Sequence, residues 1–360
     1  MNHEIELKLR LNASELPLLE QALTANTFIA EPTLQLLNRY FDTPAMALSQ
    51  SGAALRIRQQ QVVEQSAGAD TKPSDCQIIQ TLKTRGTSSG GLHQRMEWDW
   101  PLAEVELDLA LIQNADAKDH LSADINLANI GALFTTDFQR KVWLYKQDDT
   151  VIELVLDQGS VSTDEHSVDL LELELELKQG NAEVIFQLAH SLAKQCPVLM
   201  SDISKAERGY GLLARSEKFQ QINKDWSGKV PTFDAQLDVI AAFKTFFSYQ
   251  LSVWQRSLEI AIWDGQQDHL AKLDLQLQQL QNILGLFTSI DCLPEAQLLQ
   301  RQFKQAQQTP FEISLVWGQL SLACGHWLYQ LETDGAQFTM SAEEQNALSF
   351  HAEQLHKGMH

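Results

Sequence analysis

The sequence predicts an α+β protein, in which a domain of β-strands is followed by an all-α helical bundle. Up to about residue 210, apolar and polar side chains alternate with a period of two, which is typical of β-strands. Beyond Tyr210 the apolar residues recur three and four positions apart, which is typical of amphipathic helices. A polar stretch with Gly228 and Pro231 separates the two patterns.

A chain of 360 residues is long enough for two domains, each with its own core. We therefore predict a β-strand domain at 1–215, a linker at 216–231 and a helical domain at 232–360. The clearest strands are residues 3–11, 54–62, 77–85, 94–100, 141–146, 151–157 and 171–178. Helices are predicted within the first domain at 14–24 and 182–195, and in the second at 235–263, 269–287, 295–308, 311–331 and 342–357.

Composition excludes several classes of protein. The formal net charge of -20 argues against a general nucleic-acid binder, because such proteins present a basic face to the phosphates. The four cysteines form no CxxC pair, which favours reduced thiols over a zinc site or disulfides. No apolar stretch approaches the roughly 18 residues that cross a bilayer, so we expect a cytoplasmic protein without membrane contact.

Charged residues follow one face of each strong strand. On the first strand they are Glu4, Glu6, Lys8 and Arg10, with leucine or isoleucine between them, and on the last they are Glu172, Glu174, Glu176 and Lys178. The simpler reading is a sheet with a solvated charged face. The alternative is a closed barrel whose charged faces point inward and whose leucines point outward.

An ionic interior would need a ligand, because unpaired buried carboxylates and guanidinium groups each cost several kcal/mol to desolvate. Carboxylate oxygens hold Mg²⁺ or Mn²⁺, whereas arginine and lysine hold phosphate oxygens. The mixture therefore matches a metal-bound polyphosphate.

Several motifs along the first domain resemble the CYTH domains, also called triphosphate tunnel metalloenzymes. EIELK at 4–8 resembles the ExExK signature of that family, which also lies at the N-terminus. The further motifs follow in the order of the family: NRYFDTP at 38–44, LRIR at 55–58, QTLK at 80–83, RME at 95–97, DFQR at 137–140, LDQG at 156–159, ELELELK at 172–178 and SKAERGY at 204–210. ExExK alone is a weak signal, but the ordered set covers about 210 residues.

The resemblance implies an eight-stranded antiparallel tunnel that binds a linear triphosphate and hydrolyses it with Mg²⁺ or Mn²⁺. The implied metal ligands are Glu4, Glu6, Glu172, Glu174, Glu176 and Asp157. The implied phosphate ligands are Lys8, Arg56, Arg58, Lys83, Arg95, Arg140 and Lys205. Lys8, Glu176 and Arg58 are the residues that we expect to take part in the chemistry, with the general base left unassigned.

The helical domain resembles the CHAD domains, whose basic helices bind polyphosphate, but in a degenerate form. Where those helices carry a histidine followed by arginines, this chain has His269 and Lys272 and then mainly aspartate and glutamine. Such a helix lacks the charge to hold a polyanion. We expect this domain to pack on the tunnel or to mediate assembly.

Inorganic triphosphate is the expected substrate, and other readings stay open. A type IV adenylate cyclase, a thiamine triphosphatase and a nucleoside triphosphatase would use the same tunnel. A non-catalytic polyphosphate-binding protein is the alternative from another class. It would need the basic residues but not the full set of glutamates, so the acidic residues favour an enzyme.

Overall fold

Ten strands and ten α-helices occur in the described part of the chain. The computed structural model describes residues 2–24, 27–63, 76–84, 86–89, 91–114, 116–121, 125–213, 230–232, 238–264, 267–287, 293–333 and 342–356. The strands are β1 Asn2–Arg10, β2 Phe28–Asp42, β3 Ala54–Val62, β4 Gln77–Lys83, β5 Thr87–Ser89, β6 Leu92–Leu102, β7 Gly131–Gln147, β8 Thr150–Ser162, β9 Ser167–Gln179 and β10 Leu199–Ser201. The helices of the first part are α1 Leu16–Leu23, α2 Ala47–Gln50, α3 Leu109–Asn114, α4 Glu183–Ala193 and α5 Lys205–Leu213.

Eight of the strands close into an antiparallel barrel. Their order is β1, β9, β8, β7, β2, β3, β4 and β6, and β6 pairs back with the first half of β1. The short strand β5 forms a hairpin with β6, and β10 pairs with the end of β1. Closure removes the unpaired edges that an open sheet would present. The predicted eight-stranded tunnel is confirmed.

Alternation along each strand separates an apolar outside from a polar inside. On β1, Leu7 and Leu9 point outward and are fully buried beneath α4, which packs through Ile185 and Leu188. The charged residues of the same strand point into the barrel. The closed barrel with inward-pointing charged faces is therefore confirmed, and the sheet with a solvated charged face is not.

Strand β2 was not among the strands predicted from the sequence. Its first half contains Pro32, and the pairing with β7 shifts register between Glu31 and Leu34. Proline cannot donate to a neighbouring strand and is tolerated at such a bulge. The interrupted alternation explains why sequence pattern alone missed it.

An apolar cluster closes the end of the barrel at which β7 and β9 begin. Phe134 and Leu170 from these strands pack against Tyr210 and Leu213 of α5. Tyr210 donates its hydroxyl hydrogen bond to Asp42 at 2.9 Å. Helix α5 is thus fixed over this end of the barrel, with its first residue, Lys205, reaching inside.

The second part of the described chain is helical. Its helices are α6 Val239–Asp264, α7 Gln267–Leu286, α8 Pro294–Ala306, α9 Leu315–Thr333 and α10 Ala342–His356. They enclose a core of large side chains that includes Phe243, Trp254 and Trp317. The predicted linker, 216–231, lies almost wholly outside the described residues, so the proposed domain boundaries stay a prediction, as does the CHAD-like character.

Two further findings concern cysteines and membranes. Cys76, Cys196 and Cys324 are free thiols, of which the last two are buried; Cys292 lies outside the described residues. Among the described helices, none combines the length and the apolar character that a membrane span requires.

Candidate active site

Three carboxylates from neighbouring strands converge inside the barrel. Asp157 on β8 is in register with Glu172 on β9, and Glu174 lies two residues further along the same face. One oxygen from each lies within 4.8 Å of the others, and both Asp157 and Glu172 are fully buried. We call these three residues the acidic cluster. Three carboxylates so close together, away from water, require cations.

Lys205 and Arg140 make the shortest cation contacts with the acidic cluster. Lys205 Nζ contacts Glu172, and is 2.7 Å from Asp157 and 3.1 Å from Glu174. Arg140 forms a two-point hydrogen bond with Asp157, at 2.7 Å for both pairs of atoms, and reaches Glu174 at 3.1 Å. Burial alone would raise the pKa of Glu174, but Lys205, Lys8 and Arg140 lower it well below its usual range. Glu174 is therefore ionised.

The glutamates of β1 have lysine partners of their own. Glu6 pairs with Lys8, whose Nζ is also 3.7 Å from Glu174. Burial opposes the ionisation of Glu6, but Lys8 overcomes it, with help from Lys83, and the pKa falls to about 2. Glu4 accepts hydrogen bonds from Lys83 at 2.8 and 2.7 Å.

Glu176 is the most exposed of the predicted metal ligands. Its side chain is 27% exposed and lies 2.8 Å from Lys178, which also pairs with Glu153 at 3.0 Å. Burial still raises the pKa of Glu176. It lies near the opposite end of the barrel from α5, where β9 finishes.

The arginines of β3 and β6 are less well neutralised. Arg58 donates from Nε to Asn38 Oδ1 at 2.9 Å, and no carboxylate of the described residues lies within 4.0 Å of it. Burial, together with the facing Arg56 and Arg140, lowers the pKa of Arg58 to about 9. Arg95 on β6 also forms no ion pair within the described ranges. The tunnel therefore has positive charge that is available to an anion.

Arg56 is buried and has one weak carboxylate contact. Its Nη2 is 3.6 Å from Glu97, and its Nε has no hydrogen-bond partner among the described residues. A buried guanidinium nitrogen without a partner is costly unless a ligand accepts its hydrogen bond.

The chemistry of the acidic cluster fits a hard divalent cation. Its ligand atoms are all carboxylate oxygens, which Mg²⁺ and Mn²⁺ prefer. Glu172 Oε2 is buried and accepts no well-directed hydrogen bond from the described residues. Lys205 now lies among the same oxygens, so a divalent ion there would compete with its ammonium group.

The structure brings all the predicted site residues to one barrel interior but divides them into groups. Asp157, Glu172 and Glu174 form the acidic cluster, whereas Glu4, Glu6 and Glu176 are each paired with a lysine. Lys205 was predicted to bind phosphate, and in this structure it contacts carboxylates instead. The division of roles among these residues stays a prediction.

Sequence reasoning missed residues that complete the site. Asn38 is fully buried and orients Arg58; it lies within a quoted motif but was given no role. Arg208 lies 3.3 Å from Glu172, and Glu259 on α6 lies 2.9 Å from Arg208. Apart from the terminal Asp264, Glu259 is the one acid in the sequence of α6, which was the available signal.

Comparisons with known proteins agree with this architecture. A family model described as the CYTH domain matches residues 2–210. An inorganic triphosphatase of Haemophilus influenzae is 30% identical over 271 residues, which are 72% of this chain and 70% of that protein.

Two solved structures are similar to part of the chain. One is a Hippeastrum protein described as an adenylyl cyclase candidate with dominant triphosphatase activity, with 23% identity, a TM-score of 0.41, and coverage of 57% of this chain and 95% of that one. Another is a protein of Pyrococcus horikoshii OT3, with 16% identity, a TM-score of 0.39, and coverage of 59% and 99%.

Proposed function

The chain belongs to the CYTH domain family, and from that premise we propose that it hydrolyses inorganic triphosphate to pyrophosphate and phosphate. The Haemophilus influenzae relative, named an inorganic triphosphatase, supports this substrate because its similarity extends beyond the residues that the family model matches. A cytoplasmic location and the absence of nucleic-acid and membrane partners stay predictions from the sequence.

The observation that carries the proposal is the positive charge left unpaired inside a closed barrel. Arg58 has no carboxylate contact among the described residues, and its pKa is lowered to about 9 by burial and then by the neighbouring Arg56 and Arg140. A polyanion would relieve this repulsion and accept the arginine hydrogen bonds. Structural ion pairing alone does not explain a buried cation that has no anionic partner.

Binding would depend on the cations that line the interior. In the proposal, Lys8, Arg56, Arg58, Lys83, Arg95, Arg140 and Lys205 contact the phosphate oxygens. Arg56 and Arg58 can each offer a planar pair of donors, which suits a phosphate group. Lys205 can turn to phosphate once the acidic cluster has another cation to neutralise it.

The acidic cluster, together with Glu4, Glu6 and Glu176, would hold Mg²⁺ or Mn²⁺. Such an ion would neutralise charge on the phosphate oxygens and lower the pKa of water. The arginines would stabilise the charge that develops on the phosphoryl group and hold it in line for attack. Lys8 is held between Glu6 and Glu174, and its ammonium group would lie beside a triphosphate bound in the tunnel. Arg58 and Glu176 complete the proposed catalytic set.

A phosphate-release assay tests the proposal. Purified protein would be given tripolyphosphate, ATP or thiamine triphosphate, with Mg²⁺, with Mn²⁺, or with a chelator. We expect turnover of tripolyphosphate that needs a divalent ion and that Glu174→Gln reduces by about 100-fold or more. The control is Glu20→Gln, which alters a surface ion pair with Lys141. Full activity in the chelator, or preference for a nucleotide, would refute the proposed function.

A further inference from the structure

The helical part is joined to the barrel by buried polar contacts around β10. Met200 N donates to Ser321 on α9 at 3.5 Å, and Arg256 on α6 pairs with Asp202 at 3.1 Å and Glu207 at 2.8 Å. These contacts place α6 beside the end of the barrel that α5 covers. One side chain of α6, Glu259, contacts Ser201 of β10 and Arg10 of β1.

Glu259 inserts a carboxylate between the helical part and the barrel. It is 2% exposed, and its two oxygens each accept from Ser201 Oγ at 2.9 Å. Arg208 Nη2 donates to the carboxylate at 2.9 Å, and Arg10 Nη1 lies 3.9 Å from it. Burial raises the pKa of Glu259, whereas Arg208 and Arg10 oppose that rise. A carboxylate buried this deeply requires these cations.

Arg208 connects Glu259 to the acidic cluster. The same Nη2 atom lies 2.9 Å from Glu259 and 3.3 Å from Glu172 Oε2. Glu172 is the cluster member that has no other partner at Oε2 among the described residues. Because one guanidinium nitrogen faces two carboxylates, the charge on either carboxylate affects how strongly Arg208 neutralises the other.

We propose that Glu259 is a positioning residue through which the helical part tunes the metal affinity of the barrel. Glu259 is the nearer partner of Arg208 and holds the guanidinium group. Arg208 therefore neutralises Glu172 less, and Glu172 attracts a divalent cation more strongly. The inference rests on the proposed function only for the assignment of the acidic cluster as a metal site. The barrel supplies the carboxylate oxygens for the cation, and Glu259 of the helical part determines how strongly Arg208 neutralises Glu172.

Another polar contact at the same boundary offers a comparison. Glu183 on α4 lies 2.6 Å from His326 on α9 and accepts from Gln330, also on α9. This pair joins the helical part to the barrel but faces the outside of the barrel, with no contact to the acidic cluster. Removing its charge should weaken docking without changing the site.

The test measures Mn²⁺ binding to the full chain without substrate, by electron paramagnetic resonance of the free ion. We expect Glu259→Gln to weaken Mn²⁺ binding roughly tenfold, because Arg208 then neutralises Glu172 alone. Glu259→Asp should recover part of this loss. The control, Glu183→Gln, should change binding by less than about twofold, since distant sites act independently.

A double variant distinguishes an effect of charge on Mn²⁺ binding from an effect of general damage to the contact between the helical part and the barrel. Adding Arg208→Gln to Glu259→Gln removes the cation that the first change releases onto Glu172, so Mn²⁺ affinity should return towards that of the unaltered protein. A boundary that is merely damaged would bind Mn²⁺ still more weakly. Unchanged affinity in Glu259→Gln, equal loss in Glu183→Gln, no recovery in the double variant, or no Mn²⁺ binding by the unaltered chain would each overturn the inference. Mn²⁺ binding without triphosphate turnover would instead refute only the proposed function.

Discussion

At the scale of single residues, Arg58 lowers the stability of the folded chain but leaves a cation that can bind an anion. Arg58 has an amide partner, Asn38, but faces Arg56 and Arg140, and its pKa falls to about 9. A cation whose pKa is lower in the folded chain than its ordinary value favours the unfolded chain, and that cost is fully present at neutral pH. Residues kept at such a cost are typical of binding sites.

We therefore predict opposite effects of Arg58→Gln on activity and stability. The kcat/KM for tripolyphosphate should fall by about 100-fold, because a charged hydrogen bond to phosphate is lost. The melting temperature should stay the same or rise by a few degrees, because the repulsion from Arg56 and Arg140 is relieved. Steady-state kinetics and differential scanning calorimetry measure the two effects.

Arg39→Gln is the matched control, since Arg39 lies on the neighbouring strand β2 with an exposed side chain. It should leave both quantities unchanged. A marked fall in the melting temperature of Arg58→Gln would contradict this account, because it would mean that Arg58 stabilises the barrel.

At the scale of elements, α4 and α9 pack through a pair of histidines. The His190 and His326 rings lie 5.3 Å apart, and His326 contacts Glu183 at 2.6 Å. Burial lowers the pKa of His190 to about 4, with further contributions from His326 and from Lys194, while Glu183 opposes them. His190 is therefore neutral in the folded protein at physiological pH.

This lowered pKa predicts an acid-dependent loss of stability. The unfolded chain takes up the proton of His190 near its ordinary pKa of 6.5, whereas the folded chain does so near 4. The contribution of neutral His190 to the free energy of unfolding is therefore complete above pH 6.5 and is lost as the pH falls towards 4. His190→Gln should flatten the fall of melting temperature between these values, measured by calorimetry. The exposed His166→Gln is the control, and an identical slope in His190→Gln and the unaltered protein would refute the idea.

The sequence predicted those elements whose alternation is unbroken. The glutamates and leucines of β1 and β9 sort to opposite faces as expected, because both strands are regular over their length. Contacts between segments that are distant in sequence could not be predicted from this alternation. Lys205 meets the acidic cluster only because α5 packs over the barrel end, and Arg10 meets Glu259 across 249 residues of sequence.

At the scale of the whole molecule, the barrel and the helical part share their cores. Leu199 of β10 packs in the helical core, while Leu322 of α9 packs with the leucines outside the barrel. The close approach depends on Gly318 of α9, where an added Cβ would lie 2.0 Å from the Val198 carbonyl oxygen. With each part completing the core of the other, the two should unfold as one unit.

Two glycine substitutions test this dependence with opposite expected signs. Gly318→Ala should lower the free energy of unfolding by about 1–3 kcal/mol, because α9 must move away from Val198. Gly285→Ala on α7 meets no atom within 4 Å and should stabilise the protein by about 0.5–1 kcal/mol, since alanine restricts the unfolded chain. Calorimetry should give one transition for the unaltered protein and for Gly285→Ala. Two well-separated transitions in the unaltered protein would show that the two parts fold independently. An equal gain in stability from both substitutions would show that α9 does not need its close contact with the barrel.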